Sequence, residues 1–239
     1  MHKTLPANVV PSSHACRHAR AAATQLKTRR SGVATHAMEV AVADLARPDD
    51  ESRSALDAWL MDASTADQRL PHRRAPSVRV SPPELAALGV LHWFLPPQET
   101  ASHARLAAIR SARGYSFDEM VTISRDTLPD YEAKLAAFFA EHIHADEEVR
   151  YILEGSGYFD VRSEGVLGEK ESVWVRVATQ TGDLIVLPAG CYHRFTLDEG
   201  NYVKAVRLFV GPPVWTPIGK TDGAEDHAAR VAYLATLRT

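Results

Sequence analysis

The chain has 239 residues, of which 45 % are apolar and 24 % charged, enough apolar content for one properly cored globular domain with an extension. The net charge of −3 is a composite: residues 1–38 carry Lys3, Arg17, Arg20, Lys27, Arg29 and Arg30 with no acid, so +6 at the start leaves −9 for residues 39–239. A folded part of that sign speaks against nucleic-acid binding, which needs a basic face, and no apolar run reaches the length of a membrane span.

Residues 1 to about 50 are rich in Ala, Arg, Ser, Thr and His, show little hydrophobic periodicity, and turn acidic at Asp49, Asp50 and Glu51. Residues 1–54 read as a basic disordered leader and linker, and residues 55–239 as a single domain. The Arg-rich, acid-free start resembles an organellar transit peptide. An untargeted tail, or an upstream start codon with initiation at Met38, stays open beside that reading. The two cysteines, Cys16 and Cys191, stand in unrelated contexts. They give no disulfide framework, point to a reducing intracellular compartment, and leave Cys191 as a small buried filler.

Structure is expected from Ala58 onward. Ser81-Pro82-Pro83-Glu84 is a capping box with proline in the first turn, opening a short helix over Leu85 and Leu88 that Gly89 ends. Residues 90–95 form a strand pattern, and residues 100–113 have helical spacing with Leu106 and Ile109 inward. Ser116 to Glu119 repeats the cap pattern. Residues 130–141 place Tyr131, Leu135, Phe138 and Phe139 on one helical stripe, a core-packing face that runs into the next motif. After Glu148 the period changes to two, in runs at 149–153, 157–162, 173–177, 183–187, 193–197 and 203–210. Short β strands at this spacing predict a mainly β fold, a double-sheet jelly roll or barrel. Residues 224–237 return to a helical pattern and are expected to dock outside it. There is no repeat and no second domain.

The chemistry concentrates in His142-x-His144-x3-Glu148, with His193 forty-five residues later. On an extended strand, residues i and i+2 share a face, so His142 and His144 can point at one ion while Ile143 points away, and Glu148 needs only a short turn to return. Three imidazoles and a carboxylate suit iron, nickel, manganese or zinc, and in an octahedron they leave two positions for substrate or oxygen. A lone His-x-His is more often a solvated or core pair. Here Glu148-x6-Gly155 and Gly182-x5-Pro188-x-Gly190-x2-His193 surround it, which together are the two halves of the cupin signature.

Longer stretches narrow this. The run His142-Ile-His-Ala-Asp-Glu-Glu-Val-Arg-Tyr-Ile-Leu-Glu-Gly-Ser-Gly-Tyr-Phe-Asp-Val-Arg162, with Leu56 to Asp62, Pro71-His72-Arg73, Leu88 to Trp93, Leu187 to Thr196 and Arg207 to Thr216, resembles the acireductone dioxygenase family over roughly residues 56–235. The resemblance implies a cupin double-stranded β-helix with flanking helices on the N-terminal side and a C-terminal helix. It implies a methionine-salvage enzyme that cleaves 1,2-dihydroxy-5-(methylthio)pent-1-en-3-one with O2, holding one Fe(II) or Ni(II) per chain. With iron the products are 4-methylthio-2-oxobutanoate and formate; with nickel they are 3-methylthiopropanoate, formate and carbon monoxide. The expected partners are the small substrate and O2, with no nucleic acid or membrane, in a monomer of the cytoplasm and nucleus. The basic leader offers a chloroplast or mitochondrion instead.

Four residues beside the ligands complete the expected site. Arg150 shares the Glu148 face of a regular strand, where a guanidinium would offset substrate charge; pairing with Glu147 or Asp160 at the surface is the alternative. Glu147 matches a family position where a carboxylate is a candidate base, against a solvated turn acid. Phe138 and Phe195 are read as an apolar wall for the methylthio arm, against packing without substrate contact. A non-catalytic metal-binding cupin with a regulatory role, and another cupin enzyme such as a sugar isomerase, remain as competing functions.

Overall fold

In the computed structural model, residues 44–49, 56–214 and 216–238 are described. The strands and helices of the β fold belong to the compact unit that begins at Ala46. The basic leader, Cys16 and the boundary expected between residues 54 and 55 lie outside the described residues.

Ten strands carry the fold: β1 (Asp57–Leu60), β2 (Leu91–Phe94), β3 (Phe117–Ser124), β4 (His142–Ile143), β5 (Glu148–Arg162), β6 (Trp174–Gln180), β7 (Asp183–Leu187), β8 (His193–Leu197), β9 (Tyr202–Phe209) and β10 (Ile218–Gly219). Among the described residues, the helices that flank them are α1 (Pro82–Ala87), α2 (Thr100–Arg113), α3 (Tyr131–Phe139) and α4 (Ala228–Thr236). The pairing is antiparallel throughout. One sheet runs β1-β6-β5-β8-β4-β10 and the other β2-β7-β5-β9-β3. This is the mainly β, double-sheet architecture that the period-two runs predict.

The long strand β5 belongs to both sheets, which the sequence does not suggest. Residues 149–153 and 157–162 read as two strands because Glu154, Gly155 and Ser156 look like a turn, yet they are one 15-residue strand. Its first half pairs with β7 and β9, its second with β6 and β8. The crossing point is a register shift between Ile152 and Glu154 followed by Gly155 at φ +78°. A β-bulge of this kind bends a strand without ending it. A Cβ on Gly155 would lie 2.1 Å from the Tyr202 carbonyl oxygen, so only glycine fits the bend.

Alternation along β5 sorts its residues by task. Val149 and Tyr151 pack under α2 against Trp93, Ile109, Leu184 and Leu208, while Phe159 and Val161 join Val175, Val177, Ile185 and Leu187 in the main core. Fully burying each large side chain of this kind contributes about 1.5–3 kcal/mol. On the other face of the second half, Asp160 accepts from Arg176 Nε at 2.7 Å and from Arg194 Nε at 2.8 Å. Arg176 also donates to the carbonyls of Gln68 and Leu70, pinning the segment after β1 onto the sheet. A buried charge persists only when it is paired and hydrogen-bonded in this way.

The capping box at Ser81 forms, with the Ser81 amide donating to Glu84 Oε2 at 2.7 Å. The similar pattern at Ser116 does not start a helix; Phe117 opens β3 instead. The β-branched residues Val121, Thr122 and Ile123 and a full antiparallel register with β9 outweigh a local cap. Strand β1 has no period long enough to announce it; it forms by pairing with β6. Asp49, the first acid of the run at 49–51, is tied to the domain, accepting from the Phe94 amide at 2.6 Å and from Arg105 at 2.6 Å. Helix α4 docks through buried Tyr233, whose hydroxyl donates to the Leu88 carbonyl at 3.0 Å. Its Arg230 donates to the Gly190 carbonyl at 3.3 Å, so the helix braces the β7–β8 turn.

Candidate metal centre and its cavity

Helix α3 ends at Phe139, and the chain soon enters β4, which pairs with both β8 and β10. His142 thereby stands beside His193, ring centroids 4.5 Å apart, and His144 lies 5.0 and 5.3 Å from them. One nitrogen from each of the three rings lies within 4.8 Å of the others. The turn at 145–147 then returns the chain so that Glu148 begins β5. Its Oε2 is 3.2 Å from His144 Nε2 and 3.6 Å from His193 Nε2. The Gly190 amide donates to the His144 carbonyl at 3.0 Å, which ties the β7–β8 turn to this motif. The structure therefore brings together all four residues that the sequence singles out.

The rings are oriented from behind. His142 Nδ1 is 2.7 Å from the Ala140 carbonyl oxygen, and His193 Nδ1 is 2.8 Å from that of Cys191. A carbonyl can only accept, so each Nδ1 carries a proton and Nε2 is left to face the cluster, the arrangement that metal-binding histidines use. Among the described residues, His193 Nε2 and His144 Nδ1 are buried with no hydrogen-bond partner. Burial, and then the nearby His193 ring, push the His142 imidazole down to about 4, so it is neutral at physiological pH. Burial alone would raise the Glu148 carboxyl, but the Arg150 guanidinium beside it leads the opposing effects, which hold it well below the ordinary glutamate range. A neutral His142 imidazole, unpartnered buried nitrogens and an ionised carboxylate suit a divalent first-row metal. The residues fit such an ion.

The cluster opens into a cavity of about 450 Å3. Phe138 from α3, Phe195 from β8 and Phe159 from β5 form one apolar side, continued by Val121, Ile123 and Val203. Phe195 packs on Phe159 with centroids 4.9 Å apart, so it serves packing as well as the cavity wall. Arg150 also lines the cavity. It pairs with neither Glu147 nor Asp160: its guanidinium lies 3.1 Å from Glu148 Oε2 and donates to the Val149 carbonyl at 2.9 Å. Glu147 lines the cavity too, partly exposed and held by Arg113 and Tyr115.

Among the cavity residues that escape the sequence reading is Arg207. Arg207 on β9 lies directly opposite Arg150 on β5, and its guanidinium donates to Glu119, its neighbour on β3. Two guanidiniums stand side by side, each paired at its outer end with a carboxylate, Arg150 with Glu148 and Arg207 with Glu119. The signal was present, since Val203, Ala205 and Arg207 share one face and a charge breaks that apolar alternation.

Comparison with known proteins decides the family. The model of the ARD/ARD' family matches residues 57–217, which is more than half the chain. This chain belongs to the ARD/ARD' family. The acireductone dioxygenase of Rattus norvegicus is 53 % identical over 180 residues, 75 % of this chain and 96 % of that protein. Acireductone dioxygenase 4 of Arabidopsis thaliana is 52 % identical over 183 residues, 77 % of this chain and 94 % of that protein. Among solved structures, an acireductone dioxygenase from Bacillus anthracis with a cadmium ion in its active centre superposes with a TM-score of 0.52 at 25 % identity, covering 69 % of this chain and 99 % of that one. The ARD/ARD' match spans β1 to the residue before β10, and so includes His142, His144, Glu148 and His193.

Proposed function

We propose that this member of the ARD/ARD' family is a metal-dependent dioxygenase that cleaves an acireductone, 1,2-dihydroxy-5-(methylthio)pent-1-en-3-one, with O2 in methionine salvage. The observation that carries the reading is the His142, His144, His193 and Glu148 cluster opening into a cavity that Arg150, Arg207 and an apolar wall line. His142, His144, Glu148 and His193 would hold one Fe(II) or Ni(II). The ion, when bound, supplies Lewis acidity and a template for substrate and oxygen.

The remaining steps belong to the protein's own groups. Arg150 and Arg207 receive the negative charge of the ionised enediol, a planar oxyanion suited to guanidinium forks. Phe138 and Phe195 take the methylthio arm, which buries apolar surface and keeps water from the reacting end. Glu147 accepts the enediol proton: the substrate O–H bond breaks, its electron pair stays on the enediol oxygen, and the proton goes to the carboxylate.

Apoprotein loaded separately with Fe(II) and Ni(II), then given acireductone and O2, tests this. The expected result is stoichiometric metal and oxygen-dependent loss of the acireductone chromophore with both ions, 4-methylthio-2-oxobutanoate with iron, and carbon monoxide with nickel alone. An iron-loaded protein without turnover would overturn it. The same proposal places the enzyme in cytoplasm and nucleus as a monomer. Residues 1–50 fused to a fluorescent protein test that location against an organellar one.

A further inference from the structure

Glu147 precedes Glu148 in the turn between β4 and β5, and both of its carboxylate oxygens are occupied. Arg113 donates to Oε1 at 2.5 Å and the Tyr115 hydroxyl donates to Oε2 at 2.6 Å. Arg113 Nε also donates to the Tyr115 hydroxyl oxygen at 2.6 Å, which closes a three-membered ring of hydrogen bonds. The two clamp residues come from one place. Arg113 is the last residue of α2, Gly114 caps that helix in the left-handed conformation, and Tyr115 follows directly. Tyr115 is 3 % exposed and packed among Trp93, Ile109 and Val149, so its hydroxyl is a rigidly anchored donor. Burial, with Glu147 as acceptor adding to it, pushes the Tyr115 phenol up, so it stays protonated and donating.

A carboxylate has about four lone-pair sites. Arg113 and Tyr115 take one on each oxygen of Glu147, a residue that lines the cavity. A side chain that would otherwise sample many rotamers in a turn is thereby presented to the cavity in one orientation. Neither Arg113 nor Tyr115 lines the cavity itself.

We propose that Arg113 and Tyr115 are positioning residues for the reaction, holding the Glu147 carboxylate in place to take the enediol proton. The inference rests on the acireductone reading above and adds the pair that sets the geometry of its proton acceptor. A misplaced catalytic group costs turnover more than binding, on the order of tenfold to a hundredfold for a shift near 1 Å.

The experiment compares metal-loaded wild type with Tyr115→Phe, Arg113→Ala, Arg113→Lys, Glu147→Gln and the double variant Tyr115→Phe/Glu147→Gln. Each is read for metal content, thermal unfolding, kcat, KM, and the anaerobic difference spectrum of bound acireductone, which reports enediol ionisation. Tyr115→Phe keeps the buried ring and is expected to fold and hold metal as wild type does. It should lose kcat about tenfold or more with KM within about twofold, and bind acireductone with a smaller ionised fraction. Arg113→Lys should retain more turnover than Arg113→Ala, and the double variant should be no slower than Glu147→Gln alone. Wild-type kcat and spectrum in Tyr115→Phe, losses that multiply in the double variant, or losses that follow metal content would overturn the proposal while leaving the dioxygenase reading intact. A metal-loaded wild type that leaves acireductone unchanged would instead remove that reading, and this proposal with it.

Discussion

His142 stands directly opposite His193 in the register between β4 and β8, although β5, β6 and β7 lie between them along the chain. Cross-strand partners of this kind lie about 5 Å apart at their Cβ atoms, so the backbone ladder itself sets the distance between two imidazoles. Because the ladder and not the ion places the rings, His142→Ala and His193→Ala should both lose bound metal while keeping β-sheet circular dichroism. Metal analysis after dialysis checks this. Retained stoichiometric metal in either variant contradicts the assignment.

The pairing of Arg150 with Arg207 sets two guanidiniums side by side on the cavity wall, each offset by its own carboxylate, Glu148 and Glu119. Arg207→Ala is expected to keep its metal and to lower kcat/KM for acireductone by about 1.5–3 kcal/mol, on the order of ten- to a hundredfold. Steady-state kinetics on the metal-loaded variant measure it. An unchanged kcat/KM would remove Arg207 from substrate recognition.

The apolar wall predicts a substrate-dependent loss. Phe195→Ala should lower kcat/KM for the methylthio substrate by about 1–3 kcal/mol, and by less for an analogue whose arm is truncated, because the missing contact is with that arm. Equal losses for the two substrates would mean that Phe195 acts by packing on Phe159 alone.

Away from the cavity, Asp160 is wholly buried and bonded to Arg176 and Arg194. Asp160→Asn leaves buried guanidinium charge unpaired, a loss of about 3–5 kcal/mol that lowers Tm by on the order of 10 °C. Differential scanning calorimetry reads this directly. A shift within about 2–3 °C, about 1 kcal/mol at this size, would show that Gln68 and Leu70 carbonyls already balance the charge.

At the bend of β5, Gly155→Ala would force a Cβ into the Tyr202 carbonyl at a positive φ. The strand would have to leave one of its two sheets, so the variant is expected to yield little soluble folded protein. Expression yield and circular dichroism check it. Normal yield would mean that the bulge can relax.

Local spacing determined much of this protein. The period of two after Glu148, the capping box at Ser81 and the spacing of His142, His144, Glu148 and His193 are short-range properties, legible because side-chain direction follows backbone periodicity. The same holds for Arg150 on the Glu148 face. What the chain alone did not disclose depends on partners far away in sequence. The Ser116 cap pattern lost to the β3–β9 ladder, and the apparent turn at Gly155 became a bulge because strands on both sides hold β5 continuous. Arg207 reached the cavity through its register with Arg150, and Arg113 and Tyr115 reached Glu147 because α2 packs behind β5. Sequence named the four groups that meet at the centre; tertiary packing decided which charges face them and which residues hold them still, since those contacts are set by register and burial rather than by spacing.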